Sequence, residues 1–284
     1  MNWTQHSTKN YTPPPMVNRL EGAKTLITGI NSGVGCAIGV ELASRGAVIV
    51  GTYHPSNAQT SAGMSEARAR VTSLTRTFAL DQTNAEEINR VVAATKEFLD
   101  GLDILVTVAS RQSPEAFLDM SPKEIQAQIN VNLTGTILLI REAANTMIAL
   151  AKDEGQNPRH RSIGVMGSIR GRTPVKPDAY EAAKGGLHHF VNGISSILGE
   201  HGISINAIAP GTIDSPIEHQ RYGGDIETYR TAWGSVTPGK LATPQSVAEA
   251  MAFALNADSS MTGEIICVDG GYGRKPKLPL PPTA

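Results

Sequence analysis

KTLITGINSGVG, residues Lys24–Gly35, is the stretch from which the fold can be read. Thr25–Thr28 has the composition of a short buried strand, and the residues from Gly35 to Ser44 continue as a helical run. A strand that feeds a helix through a glycine-rich turn is the opening βα unit of a doubly wound sheet, and in that context the glycines become informative. Without a Cβ the backbone can pass close to a pyrophosphate, and the helix N-terminus offers amide donors and the positive end of its dipole. Gly29, Asn31, Ser32, Gly33, Val34 and Gly35 are therefore the expected phosphate-facing turn. The spacing is TGxxxGxG rather than the dinucleotide fingerprint GxGxxG, and a plain tight turn is the competing reading.

Outward from this unit, Ala47–Thr52, Thr75–Leu80, Leu102–Val108, Ser162–Met166, Ser204–Ile208 and Ile265–Val268 read as further strands. The uninterrupted run LDILVTV suits a strand covered on both faces. Helical patterns at Ile125–Leu150, Ala179–Gly199 and Val247–Leu255 alternate with the strands. The spacing predicts an α/β fold: a Rossmann-type doubly wound parallel sheet with helices on both faces, in one domain over residues 21–273. A polar arm, residues 1–20 with Pro13-Pro14-Pro15, is expected before it and a Pro-rich tail, residues 274–284, after it. Residues 214–239 are polar, Gly-rich and aperiodic, and are expected to form a lid or substrate loop.

The chain has 284 residues, 40% of them hydrophobic, and a formal net charge of −1. That balance and the absence of charge runs argue against nucleic acid or an anionic membrane as partner. Cys36 and Cys267 match no metal-ligand spacing and are expected as free, buried thiols in a reducing compartment. No segment approaches the ~20 apolar residues of a membrane helix, and no apolar signal region precedes the first strand. The expectation is a cytoplasmic protein without a metal site.

Two further constellations bear on chemistry. The second strand ends in Tyr53, His54 and Ser56, and no acid occurs between Glu41 and Glu66. A carboxylate about 20 residues past the glycines would accept from a ribose 2′-hydroxyl, so its absence favours a 2′-phosphate, hence NADP(H), with NAD(H) possible. Asp81 and Gln82 close the third strand, where the acid either accepts from an adenine amino group or caps the next helix. In GVMGSIRGRTPVKPDAYEAAK, residues Gly164–Lys184, Tyr180 and Lys184 stand one helical turn apart, with Ser168 upstream. An ammonium beside a phenol favours the phenolate, which suits proton transfer near neutral pH; an ordinary helix with a surface Tyr and Lys is the competing reading.

Taken in order, Thr28-Gly29-xxx-Gly33-x-Gly35, Asp81, Asn132 in VNLTG, Ser168 in SxxG, Tyr180-xxx-Lys184, Pro210-Gly211 and Val268-Asp-Gly-Gly271 resemble the short-chain dehydrogenase/reductase family over about Leu20–Gly273. The resemblance implies an NAD(P)-dependent oxidoreductase acting on a small-molecule carbonyl or alcohol. Tyr180 would protonate the carbonyl oxygen, Lys184 would bind the nicotinamide ribose, Ser168 would hold the substrate oxygen, and Asn132 would hold a water of the proton relay. Ala109 and the backbone of Pro210, Gly211 and Ile213 would meet the cofactor. A homodimer or homotetramer through the Ile125–Leu150 and Tyr180–Gly199 helices is also implied. Where the family has Asn-Asn-Ala-Gly, this chain reads Thr107-Val-Ala-Ser110, so Val108 removes an amide that ties strands together and Ser110 crowds the cofactor side. The family's threonine after Pro-Gly is matched only by Ser215. Alternative readings are a nucleotide-binding protein of this fold without redox activity, and a reductase of an imine or other C=X bond. His188 and His189 are expected on a helix surface or interface, Cys267 in the core, and Arg111, Arg170 and Arg172 either solvated or available to an acidic substrate.

Overall fold

A computed structural model describes residues 17–56, 60–155, 158–215, 219 and 223–274. The Pro-rich tail and most of the expected N-terminal arm lie outside these residues. Of the arm, Leu20 is fully buried, and Arg19 donates its backbone N–H to Asn256 Oδ1 at 2.7 Å.

The strands are β1 (Lys24–Ile27), β2 (Val48–Tyr53), β3 (Leu74–Ala79), β4 (Ile104–Thr107), β5 (Arg161–Met166), β6 (Ile203–Pro210) and β7 (Ile265–Val268). They form one sheet in the order β3-β2-β1-β4-β5-β6-β7, with every pairing parallel. The helices are α1 (Gly33–Ser44), α2 (Thr60–Arg70), α3 (Ala85–Leu99), α4 (Pro122–Ile129), α5 (Thr136–Glu154), α6 (Ala179–Gly199), α7 (Ile226–Gly234) and α8 (Pro244–Asn256).

Strand side chains alternate between two cores because the side-chain period of a strand is two. Leu26, Leu105, Ile163 and Ile205 face α3, α5 and α6, where Val91, Leu139, Met147, Leu187 and Val191 meet them. Ile27, Ile49, Ile104 and Ile208 face the opposite way, toward Ile38 and Leu42 of α1 and Met251 and Leu255 of α8. Every residue of β5 and β6 is buried, the polar Arg161, Ser162, Ser204 and Asn206 included, as befits strands covered on both faces.

Three expectations need correction. The single helix over Ile125–Leu150 is instead α4 and α5 joined by a π-helical turn, Asn130–Gly135, which keeps one helical run over residues 122–154. By length and mean hydropathy (1.2) that run is long and apolar enough to cross a membrane, which the sequence reading missed because uncharged polar residues such as Asn132 and Thr134 interrupt it. Here Leu139, Ile140, Ala143 and Met147 of the run are buried in the core. Finally, residues 214–239 are not without structure: Asp225 caps α7 by accepting from Glu227 N and Thr228 N, and Tyr229 is fully buried. A short helix with one inward aromatic shows too little periodicity to be read from sequence.

Candidate active site

The sheet grows in opposite directions on either side of β1 and β4, and open α/β sheets bind ligands outside the carboxyl ends of the strands at that point. The residues there are tightly interlocked. Thr28 donates its N–H to Val106 O at 2.9 Å, and its hydroxyl oxygen accepts from Val108 N at 3.0 Å and Ala109 N at 3.3 Å. Gly29 has φ +64°, and a Cβ on it would stand 3.0 Å from Ala109 N. A Cβ on Gly35 would lie 2.2 Å from Gly29 O, so the turn closes only with glycine there. Ser32 caps α1, accepting from Gly35 N at 3.0 Å and donating to Gly29 O at 2.8 Å. The Val108 side chain is buried in the core, and its backbone N–H lets the Thr28 hydroxyl link β1 to the end of β4. Ser110 is exposed.

At the β2 end, His54 and Ser56 are exposed, with Ser56 Oγ 3.0 Å from His54 Nδ1. Asp81 Oδ2 stands 3.9 Å from His54 Nε2. Partial burial pushes the Asp81 carboxyl up, but hydrogen bonds from the Thr83 N–H and hydroxyl, with His54 nearby, outweigh it and hold the group below its ordinary value. Gln82 is buried and donates through Nε2 to Val131 O at 2.7 Å, while its Oε1 has no hydrogen-bond partner among the described residues.

The π-turn sets Asn132. Its side chain is fully buried, accepting from Arg111 N at 3.0 Å and donating to Arg111 O at 2.6 Å. The carboxamide is thus occupied in pinning the loop after β4, and the loop's Arg111 guanidinium pairs with Glu124.

Ser168 follows directly from β5 and is 7% exposed; its Oγ accepts from Arg170 N at 3.2 Å. Lys184 is 3% exposed and donates Nζ to Met166 O at 2.7 Å, with Nζ 5.6 Å from the centroid of the Tyr180 ring. Burial lowers the Lys184 pKa to about 8. The structure thus gathers Ser168, Tyr180 and Lys184 at the β5–α6 junction.

His188 was not legible as part of this group. It is buried, not on the helix surface, and its Nε2 accepts from Ser168 N at 3.3 Å while Nδ1 has no hydrogen-bond partner among the described residues. Burial, with Lys184 and Arg172 nearby, lowers its pKa to about 4, so it is neutral near pH 7. The sequence signal lies in two glycines: a Cβ on Gly167 would meet His188 Nε2 at 2.4 Å, and one on Gly171 would meet Cε1 at 2.8 Å. His189 is exposed.

Arg170 is neither solvated nor available to a substrate carboxylate. It pairs with Asp178 at 2.8 Å and Glu181 at 3.0 Å. Cys267 is half-buried rather than in the core, 3.5 Å from Arg172 Nη1, because β7 is an edge strand.

The far wall is the end of β6. Gly211 donates its N–H to Val268 O at 2.9 Å, Ile213 bridges Ala242, and Ile213 O accepts from Tyr229 OH of α7 at 2.7 Å. Asp214 joins His219 to Arg230. Pro210, Gly211 and Ile213 therefore line the same rim of the sheet as Gly29 and Ser168.

Comparison with known proteins fits this arrangement. Residues 29–273 match the family described as enoyl-(acyl carrier protein) reductase. The chain is similar to the 3-oxoacyl-(acyl-carrier-protein) reductase FabG of Vibrio cholerae, 31% identical over 254 residues, covering 89% of this chain and 98% of that one. It is also similar to glucose 1-dehydrogenase of Gluconobacter oxydans, 28% identical over 263 residues, covering 91% and 95%. Among solved structures, an NADH-dependent reductase of alginate metabolism superposes with a TM-score of 0.73 at 26% identity, covering 90% of this chain and 99% of that one.

Proposed function

Because this chain belongs to the short-chain dehydrogenase/reductase family, we propose that it catalyses reversible hydride transfer between NADP(H) and a small-molecule carbonyl or alcohol. The observation that carries this reading is the buried Lys184 ammonium beside the Tyr180 ring, at the strand end that also presents Ser168.

The chain's own residues suit a dinucleotide. The Gly29–Gly35 turn admits no side chain at Gly35, the N-terminus of α1 carries no acidic residue in its first turn, and nothing lies within 4 Å of a Cβ on Gly33. The β2 end offers Tyr53, His54 and Ser56 with no carboxylate of its own, which favours NADP(H) over NAD(H). When bound, the nicotinamide supplies or accepts the hydride.

In reduction, Tyr180 donates its phenolic proton to the carbonyl oxygen, and in oxidation it takes the proton back. Ser168 donates a hydrogen bond to the same oxygen and fixes its place before the proton moves. Lys184, held by Met166 O, keeps a positive charge beside the phenol and favours its ionised form. Burial costs this lysine part of its basicity, yet with a pKa of about 8 it remains mostly protonated near neutral pH. Asn132 keeps the loop after β4 in register with this wall through Arg111.

Tyr180→Phe removes one hydroxyl and almost no volume, so folding and cofactor affinity should stay within a few-fold of wild type. Turnover should fall by the ~10²–10⁴ that a positioned acid–base group supplies, or about 3–5.5 kcal/mol. The assay follows NADPH consumption with a carbonyl substrate found by screening, beside a cofactor titration of each variant. Retention of most of the wild-type rate by Tyr180→Phe would remove the proton-transfer role.

A further inference from the structure

Arg170 touches both Ser168 and Tyr180. Its backbone N–H donates to Ser168 Oγ at 3.2 Å, and its guanidinium carbon stands 4.9 Å from the centroid of the Tyr180 ring. The side chain is 12% exposed and held on its other edges: Nε donates to Glu181 Oε1 at 3.0 Å, and Nη2 donates to Asp178 Oδ2 at 2.8 Å and Lys176 O at 2.7 Å. Both carboxylates have second duties. Asp178 caps α6 by accepting from Glu181 N at 3.0 Å, and Glu181 Oε1 also accepts from Lys176 N at 2.6 Å. The guanidinium is thus fixed to the first turn of α6 and to the loop before it, with its central carbon over the Tyr180 ring.

We propose that Arg170 is a positioning residue that clamps Ser168 and Tyr180 into one rigid unit, so that both hydroxyls meet the same substrate oxygen. This rests on the reading of Ser168 and Tyr180 given above. Ser168 caps a short 3₁₀ turn after β5 and Tyr180 lies on α6; the Ser168 N–H to His188 Nε2 and Lys184 Nζ to Met166 O bonds join these elements deeper in the fold, and Arg170 adds the link at the level of the Ser168 hydroxyl and the Tyr180 ring. Reactions that need two groups on one atom lose about 10²-fold for a displacement near 1 Å. The position requires arginine, because only a planar fork can satisfy two carboxylates and a carbonyl at once while keeping its charge over a ring. A lysine retains the charge and loses the fork.

The test uses the full chain in two forms. Arg170→Lys keeps the cation beside Asp178. The triple change Arg170→Met, Asp178→Asn and Glu181→Gln removes all three charges together, so no buried carboxylate is left unpaired if the first form fails to fold. In each, kcat should fall about 10–100-fold while substrate KM and NADPH Kd stay within about 3-fold. Placed on the Tyr180→Phe background, Arg170→Lys should cost less than about 3-fold more, because it acts through the hydroxyl already removed. Wild-type kcat in the folded variants, or a full additional loss on the Tyr180→Phe background, would overturn the clamp. An active wild type with an equally active Tyr180→Phe would instead overturn the proton-transfer reading, which keeps the two failures apart.

Discussion

The two sides of the crevice are built differently. On the β5–α6 side the charged and polar groups are buried and answer one another: Lys184 to Met166 O, His188 to Ser168 N, and Arg170 to Asp178 and Glu181. On the β2 side His54 and Ser56 are exposed and Asp81 is half-buried, and Asp81 Oδ2 stands 3.9 Å from His54 Nε2. A buried polar group left without its partner is expensive, whereas exposed groups lose little when exchanged. The β5–α6 side, the chemistry wall of the proposed reaction, should therefore tolerate almost no substitution, and the β2 side should accept change at small cost.

The sharpest way to break that contrast is acid. Below the ordinary histidine value of 6.5 the unfolded chain takes up a proton at His188, while the fold resists uptake until about pH 4. The unfolded state then binds more protons, so this contribution to stability is present near neutrality and is lost as pH falls from 6.5 toward 4. Glutamine can offer an acceptor to Ser168 N but cannot take up that proton. The wild type should lose about 2–3 kcal/mol more than His188→Gln between pH 7 and 4.5, measured by denaturant titration at both values. Equal losses in the two proteins would place the acid sensitivity elsewhere.

On the exposed side, Tyr53→Asp should exchange NADPH preference for NADH preference by about 10–100-fold in the ratio of affinities, or roughly 1.4–2.7 kcal/mol. Tyr53 packs partly on the core, so the ratio, and not either affinity alone, is the quantity to read by calorimetry. A wild type that already prefers NADH would remove the argument from the missing carboxylate. The smallest effect is expected between the two walls: Ser32→Ala removes the cap of α1 and should lower stability by about 1 kcal/mol, with turnover nearly unchanged. A melting curve beside a kcat measurement decides it, and a large loss of turnover would show the turn to be part of the chemistry wall.

The sheet and its glycine turn were legible because both rest on local pattern: period-two burial, buried apolar runs and a turn that closes only around glycine. Ser168, Tyr180 and Lys184 were legible as a spaced motif. His188 and Arg170 were not, because their roles depend on what folding brings against them. His188 is buried by the space two glycines leave beside Ser168, and Arg170 is placed by carboxylates eight and eleven residues further on. The π-turn escaped as well, since a helix with one looser turn keeps nearly the same apolar rhythm as a regular one.

That π-turn bears on how the gene can change. A π-turn is a regular helix carrying one surplus residue, so deleting a single codon within 130–135 would leave an unbroken helix that still reads well by every local measure. Because the π-turn absorbs its surplus residue, α4 and α5 would keep their faces after the deletion, and only the residues within the turn would change direction. Asn132 would then turn away from Arg111, and the loop after β4 would lose its anchor while the core behind α5 stayed whole. In this stretch a loss of three nucleotides should therefore spare the fold and release the loop after β4.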